Sequence, residues 1–197
     1  ILAALASGFA DVKLLLAPTT ERDALDQEIP LAQAMAGPEK VALLDLADPD
    51  ALCDALYGAD DAPAHCEGPI LPMGSRRQVA RLSAKALHEP DEVLPLPEAA
   101  PYGAVLVNTD ACTLCLSCVS LCPSGALVDN PDMPQLRFQE DACLQCGLCA
   151  NVCPEDAISY EPRMNLADEA LTQVVLHEEE PFACIECGSL FGVKSTI

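Results

Sequence analysis

Cysteine spacing constrains this chain more than any other feature. Residues 110–127 (DACTLCLSCVSLCPSGAL) and 141–158 (DACLQCGLCANVCPEDAI) are two copies of one segment, offset by 31 residues and identical at 8 of 18 positions. Each copy contains C-x2-C-x2-C-x3-C-P: Cys112, Cys115, Cys118 and Cys122 before Pro123, then Cys143, Cys146, Cys149 and Cys153 before Pro154. Structural zinc usually takes two C-x2-C knuckles held roughly a dozen or more residues apart. Each quartet here lies within eleven residues, too crowded for two separated knuckles. Disulfides need an oxidising compartment, for which the chain carries no signal. The 12 Cys of 197 residues are also clustered rather than spread as in a small disulfide scaffold.

Three Cys at a spacing of three can wrap one loop around three corners of an iron–sulfur cubane, each thiolate taking a different iron. The fourth lies beyond a short helical turn and points away. The Pro that follows ends the local helix, and Gly147 lets the backbone pass close to inorganic sulfide. Residues 104–108, 126–129, 135–139 and 158–161 read as short strands, so each Cys loop and its helix sit in a βαβ-like half, the halves related by a pseudo-two-fold. This segment resembles the bacterial-type two-cluster 4Fe-4S ferredoxins over about 60 of the 197 residues, and all eight ligand positions match. Residues 130–135 (NPDMPQ) lengthen the loop between the halves relative to the shortest members. In such proteins the fourth Cys of each run ligates the other cluster. The resemblance therefore implies Cys112, Cys115, Cys118 and Cys153 at one 4Fe-4S cluster and Cys143, Cys146, Cys149 and Cys122 at a second. It also implies an α+β ferredoxin-like domain whose clusters are low-potential one-electron carriers.

The first ninety residues read differently. Residues 11–17 and 40–47 read as buried strands, separated by a helix from a Thr20 cap to about Met35 that Pro30 should kink or split. A helix capped by Asp48, with Pro49 at its first position and Gly58 as its stop, comes next. Another runs from Ser75 to about His88. Strands alternating with helices predict an α/β domain on a parallel sheet. Its first turn, Pro18-Thr19-Thr20-Glu21, lacks the glycines of a dinucleotide site, and no P-loop occurs, so no nucleotide is expected. Arg77, Arg81 and Lys85 form a basic stripe read as a solvated face, Cys53 reads as a buried apolar residue, and His65-Cys66 reads as loop. The pattern of this part is similar to small electron-transfer subunits linked to hydrogenases and formate dehydrogenases.

Charge limits the partners. With 31 acidic and 10 basic residues the net charge is −21, which disfavours nucleic acid and anionic lipid and suits a redox protein with a basic docking face. No apolar run is long enough to span a membrane. Ile1 to Ala10 lack the basic start of a signal peptide and read as a helix inside a longer parent protein, and a cytoplasmic location is expected. Three Pro in residues 94–101 mark a stiff linker, giving domains at 1–95 and 96–162 and an extension at 163–197. That extension holds one more C-x2-C, Cys184 and Cys187 before Gly188, half of a metal knuckle whose missing ligands are expected beyond Ile197 rather than from Cys53 and Cys66, an unoccupied or oxidised pair being the alternative. The functional expectation is electron transfer as a subunit of a larger redox assembly, not catalysis by this chain. A docking module held together by its clusters is the alternative.

Overall fold

A computed structural model describes residues 1–58, 68 and 70–196. The chain divides into two compact units, Ile1–Ala99 and Ala100–Ile197.

In the first unit, a short helix α1 (Leu2–Ala6) leads into strand β1 (Val12–Leu15), helix α2 (Arg22–Ala36) and strand β2 (Val41–Leu44). The strands pair in parallel, from Val12 opposite Val41 to Leu15 opposite Leu44. Leu25, Ile29, Ala32 and Ala36 recur at helical spacing, and this stripe packs with Leu5, Val41 and Leu87. Thr20 does not cap α2: its hydroxyl accepts from the Ala17 amide and closes the preceding turn, while Glu21 holds the cap position without a side-chain bond. Pro30 does not split α2 either. It lies on the exposed face, so the helical bond it removes is lost where water can replace it.

Helix α3 (Pro49–Tyr57) starts on the Asp48 carboxylate, which accepts from the Asp50 and Ala51 amides. Helix α4 (Arg76–Leu87) starts on a reciprocal cap, the Ser75 hydroxyl accepting from the Gln78 amide and the Gln78 side chain accepting from the Ser75 amide. Two expectations fail here. Cys53 is exposed rather than buried, because α3 carries no buried residue at all. Arg81 is only 7% exposed, so the basic stripe of α4 is not a uniformly solvated face. His65 and Cys66 lie outside the described residues. Strand β3 (Val93–Pro95) falls in the Pro-rich stretch expected as linker, and its Leu94 is buried.

The second unit contains β4 (Gly103–Val107), α5 (Ser117–Ser120), β5 (Leu127–Asp129), β6 (Gln135–Phe138), α6 (Leu148–Val152), β7 (Ile158–Asn165), β8 (Val174–Glu178), β9 (Pro181–Ala183) and β10 (Leu190–Val193). The 31-residue repeat is visible in the pairing. First and last strands join, β4 antiparallel to β7, and the two inner strands join, β5 antiparallel to β6. Equivalent residues Val105 and Leu136, Ala126 and Ala157, Leu127 and Ile158 are all buried. Most of them form, with Phe138, Cys118 and Cys143, the core on which both Cys loops rest. The cut expected at 162 falls inside β7, which continues to Asn165. Beyond it, β8 pairs with β6, Leu166 is fully buried, and Arg163 makes a two-pronged ion pair with Glu140 (2.9 and 3.0 Å). β9 and β10 pair with each other alone, and Val193 of β10 is buried.

Candidate iron–sulfur centre

Each Cys loop leaves a strand, curls, and enters a helix of about one turn. The curl comes from left-handed backbone at Leu114 and Leu116 in the first loop and at Gln145 and Gly147 in the second (φ 52°, 58°, 53° and 74°). These positions are 31 residues apart in pairs, so the repeat is one of backbone shape as well as of sequence. Leu116 and Gly147 are the residues at which α5 and α6 begin. The third Cys of each run, Cys118 or Cys149, then lies within the helix, and the fourth, Cys122 or Cys153, just past its end. Four residues of helix separate the two sulfurs' backbones by roughly 6 Å. Because α5 and α6 pack on one another, the start of each can face the same space as the end of the other.

The cavities follow from this. One is lined by Cys143, Cys146, Cys149 and Cys122, together with Val105, Leu127, Phe138, Gln145, Gly147 and Tyr160 among others. The second is lined by Cys112, Cys115, Cys118 and Cys153, with Leu114, Leu116, Leu136, Glu155 and Ile158. All eight Cys singled out in the sequence are therefore brought to two spaces, three from one loop and one from the other. Among the described residues, no three His, Cys, Asp or Glu side chains converge tightly enough to hold one metal ion. Four thiols lining one cavity are a donor set that fits a polynuclear group. None of the described Cys is in a disulfide.

Hydrogen-bond donors point at the sulfurs. The Gln145 amide donates to Cys143 Sγ (3.5 Å), the Leu127 amide to Cys122 Sγ (3.5 Å) and the Ala157 amide to Cys153 Sγ (3.3 Å). Such bonds stabilise negative charge on sulfur. They compete with burial. Burial pushes the Cys118 thiol up to about 11 and raises Cys112 and Cys149, the latter two also feeling neighbouring thiolates. For Cys122, burial is again the largest single influence, yet the bonds from Leu127 and Ser124 outweigh it and the thiol falls below its usual value. Cys115 is lowered outright by the Ser117 hydroxyl and amide. Cys118 senses Cys149 as well as Cys112, so the two cavities lie close enough to interact electrostatically.

A family described as the 4Fe-4S dicluster domain matches residues 111–158, the span that contains all eight of these Cys. This segment is a 4Fe-4S ferredoxin-type domain. Comparison with curated proteins gives no match. A ferredoxin-type domain of this kind is an iron–sulfur electron-transfer unit. Gly147 lines the Cys143 cavity, and a Cβ there would meet Tyr160 at 3.5–3.7 Å, an ordinary contact. Its repeat partner is Leu116, so a left-handed residue is what the ferredoxin-type loop demands there, and glycine is one way to supply it.

The sequence reading missed a polar side chain. Gln145 Nε2 donates to the Ala104 carbonyl (3.1 Å) and reaches Cys143 Sγ (3.8 Å). Its Oε1 is buried without a partner. The amide sits over Gly103, where a Cβ would fall 2.2 Å from Nε2 and 2.3 Å from the Glu161 carbonyl oxygen. The signal was there in the repeat: Gln145 occupies the position of Leu114, a polar side chain where the first loop has an apolar one. Nothing in the sequence singles out Gly103. Among the described residues no helix is long and apolar enough to cross a membrane.

Proposed function

We propose that this chain relays single electrons through two 4Fe-4S clusters, as one subunit of a larger redox assembly. It has an α/β domain ahead of a two-cluster ferredoxin-like α+β domain. The observation that carries this reading is the pair of cavities, each lined by three Cys of one loop and the fourth Cys of the other. Cys112, Cys115, Cys118 and Cys153 would hold one cluster, and Cys143, Cys146, Cys149 and Cys122 the second. The clusters supply one-electron chemistry. The protein's part is to hold the four thiolates of each, aim amides at their sulfurs, and keep water off the inner face with Val105, Leu127, Leu136 and Phe138. With four Cys per cluster no iron is left open to a substrate, which favours a carrier over an enzyme.

Charge sets the direction of the potentials. Each oxidised cubane with four thiolates carries about −2 and gains a further negative charge on reduction. Residues 109–162 contain eight acidic residues and a single basic one, Arg137. Adding an electron against that field places both potentials at the low end of the range for such clusters. The same field suits a cytoplasmic partner presenting a basic face, and the likeness of the first unit to subunits of hydrogenases and formate dehydrogenases indicates the kind of assembly. No nucleotide, nucleic acid or membrane partner belongs to this reading.

Anaerobic preparation with iron and acid-labile sulfide analysis is expected to give about eight of each per chain. Electrochemical titration should then show two one-electron centres. Cys122→Ser is expected to damage the cluster at Cys143, Cys146 and Cys149; loss confined to the Cys112 loop overturns the crossed assignment. Redox silence with both clusters intact favours the docking module instead.

A further inference from the structure

The turn between β9 and β10 contains two thiols that the ferredoxin-type domain does not use. Cys184 and Cys187 line neither cysteine cavity. The Cys184 amide donates to the Ser189 carbonyl and the Gly188 amide to the Cys184 carbonyl, both at 2.8 Å. These two bonds and the left-handed Gly188 (φ 72°) close residues 184–189 into one tight turn. Within it the Cys184 thiol hydrogen-bonds the Cys187 sulfur, so the two sulfurs are already neighbours.

Packing does not account for the pair. Cys187 is exposed, Cys184 is half-buried, and Ile185 between them is 94% exposed. Among the described residues no third His, Cys, Asp or Glu joins them to hold a metal ion. What the turn does present is the chemistry of two adjacent thiols. The Ser189 hydroxyl and amide hydrogen-bond Cys187 and, with the Cys184 thiol, hold it below its usual value. The thiolate is the nucleophile of thiol–disulfide exchange, so Cys187 is the sulfur that attacks and Cys184 the one that resolves. A disulfide between them closes a ring of only four residues, the kind of loop that gains least from chain entropy. The fold therefore does not lock the pair oxidised, and its state follows the surrounding thiols and disulfides.

We propose that Cys184 and Cys187 are a reversible dithiol–disulfide site that exchanges two electrons with small aliphatic disulfides, apart from the one-electron relay. The Cys187 thiolate attacks one sulfur of the small disulfide. A bond forms between Cys187 and that sulfur, the small disulfide's own S–S bond breaks, and one thiolate leaves. Cys184 then attacks the Cys187 sulfur, its proton passing through water to a leaving thiolate. The Cys184–Cys187 bond forms and the second small thiolate is expelled. The protein dithiol is thus oxidised by two electrons and the small disulfide is reduced to two thiols; an excess of small thiol runs the steps backward. Glu186 lies between the two Cys in the chain, and Glu178, Glu179 and Glu180 immediately precede β9, so the site favours a cationic disulfide over an anionic one.

The test uses the full chain with its iron–sulfur clusters loaded, kept anaerobic, with cystamine and glutathione disulfide as the cationic and anionic probes. After alkylation of the remaining thiols, peptide mass spectrometry is expected to find a Cys184–Cys187 bond that excess dithiothreitol reopens. Cystamine should form it at least about threefold faster than glutathione disulfide at low salt, and the ratio should shrink as salt rises. Cys184→Ser is expected to stop at a mixed disulfide on Cys187. Cys187→Ser should slow the first attack at least about tenfold near pH 7, while Cys53→Ser changes neither step. The visible absorption of the clusters should be the same in all three variants, which shows that each has folded. Peptide mapping reads the pair separately from the clusters, so failure of the relay and failure of this site are distinguishable. A pair that stays as free thiols in excess of both disulfides overturns the proposal, as does a mixed disulfide in the unaltered chain that never closes. So does a metal ion that co-purifies on the pair and keeps both thiols from cystamine. Equal rates with the two probes overturn the charge preference.

Discussion

Left-handed residues fall at equivalent places in the two loops, but the side chains at those places differ, and the difference makes the cavities unequal. The Leu114 side chain adds only apolar surface to the Cys112 cavity, whereas the Gln145 side chain at the matching position brings an amide to Cys143 Sγ. A donor to a ligating sulfur stabilises the more negative, reduced state, and Glu155 lining the other cavity does the opposite. Gln145→Leu is therefore expected to lower the potential of the Cys143-side cluster alone. At 3.8 Å the bond is weak, so the shift should be on the order of 20–40 mV, the equivalent of roughly 0.5–1 kcal/mol for one electron. Titration followed by electron paramagnetic resonance checks it, and equal movement of both centres would count against the assignment. The thiols differ in the iron-free protein too. Cys115 is exposed and lowered by Ser117, whereas Cys118 is buried and raised to about 11. Since the thiolate is the nucleophile, iodoacetamide at about pH 8 should label Cys115 well before Cys118, as read by peptide mass spectrometry. The Cys118 rate should keep rising as pH approaches about 11.

At the scale of elements, the β4–β7 ladder joins core to site. Gly103 pairs with Pro162, and the space a side chain would need is filled by the Glu161 carbonyl oxygen and the Gln145 amide. The backbone oxygen cannot swing aside as a side chain could. Gly103→Ala is expected to destabilise the second unit by roughly 1–3 kcal/mol, measured by denaturant unfolding of the loaded protein. It should also displace Gln145 and so reproduce part of the Gln145→Leu potential shift. An alanine variant with unchanged midpoint and potentials would mean that β4 can move away from β7 at little cost. Helix α2 shows the opposite tolerance. Pro30 sits in it without ending it, because Ile29, Ala32 and Met35 hold the helix through burial on the far face.

Over the whole molecule the dominant quantity is the net charge of −21. A field of that size speeds encounter with a basic partner and is screened over about 8–10 Å at physiological salt. The association rate with a basic redox partner is therefore expected to fall steeply as salt rises. The potentials should rise modestly under the same conditions, because screening lowers the cost of adding an electron. Stopped-flow kinetics and titration at several ionic strengths measure the two effects separately. A rate independent of salt would place the docking surface away from the acidic field.

The Cys runs, their 31-residue offset and the short strands beside them were legible in the sequence because each is local: eleven residues fix a loop, and alternation fixes a strand. The Ser75 and Asp48 caps were legible for the same reason, since a cap bonds within three residues of itself. What the sequence did not settle depends on partners far along the chain. Which thiols share a cavity follows from the outer strands pairing with each other and the inner strands with each other, which sets α5 against α6. The cut drawn at 162 ignored Leu166, Arg163 and β8, whose places are set by Glu140 and β6. Arg81 looked like surface because its stripe is charged, yet a helix face is buried or exposed by what packs on it. Gly103 carries no motif at all, and its importance exists only because Glu161 and Gln145, some sixty and forty residues away, meet over it.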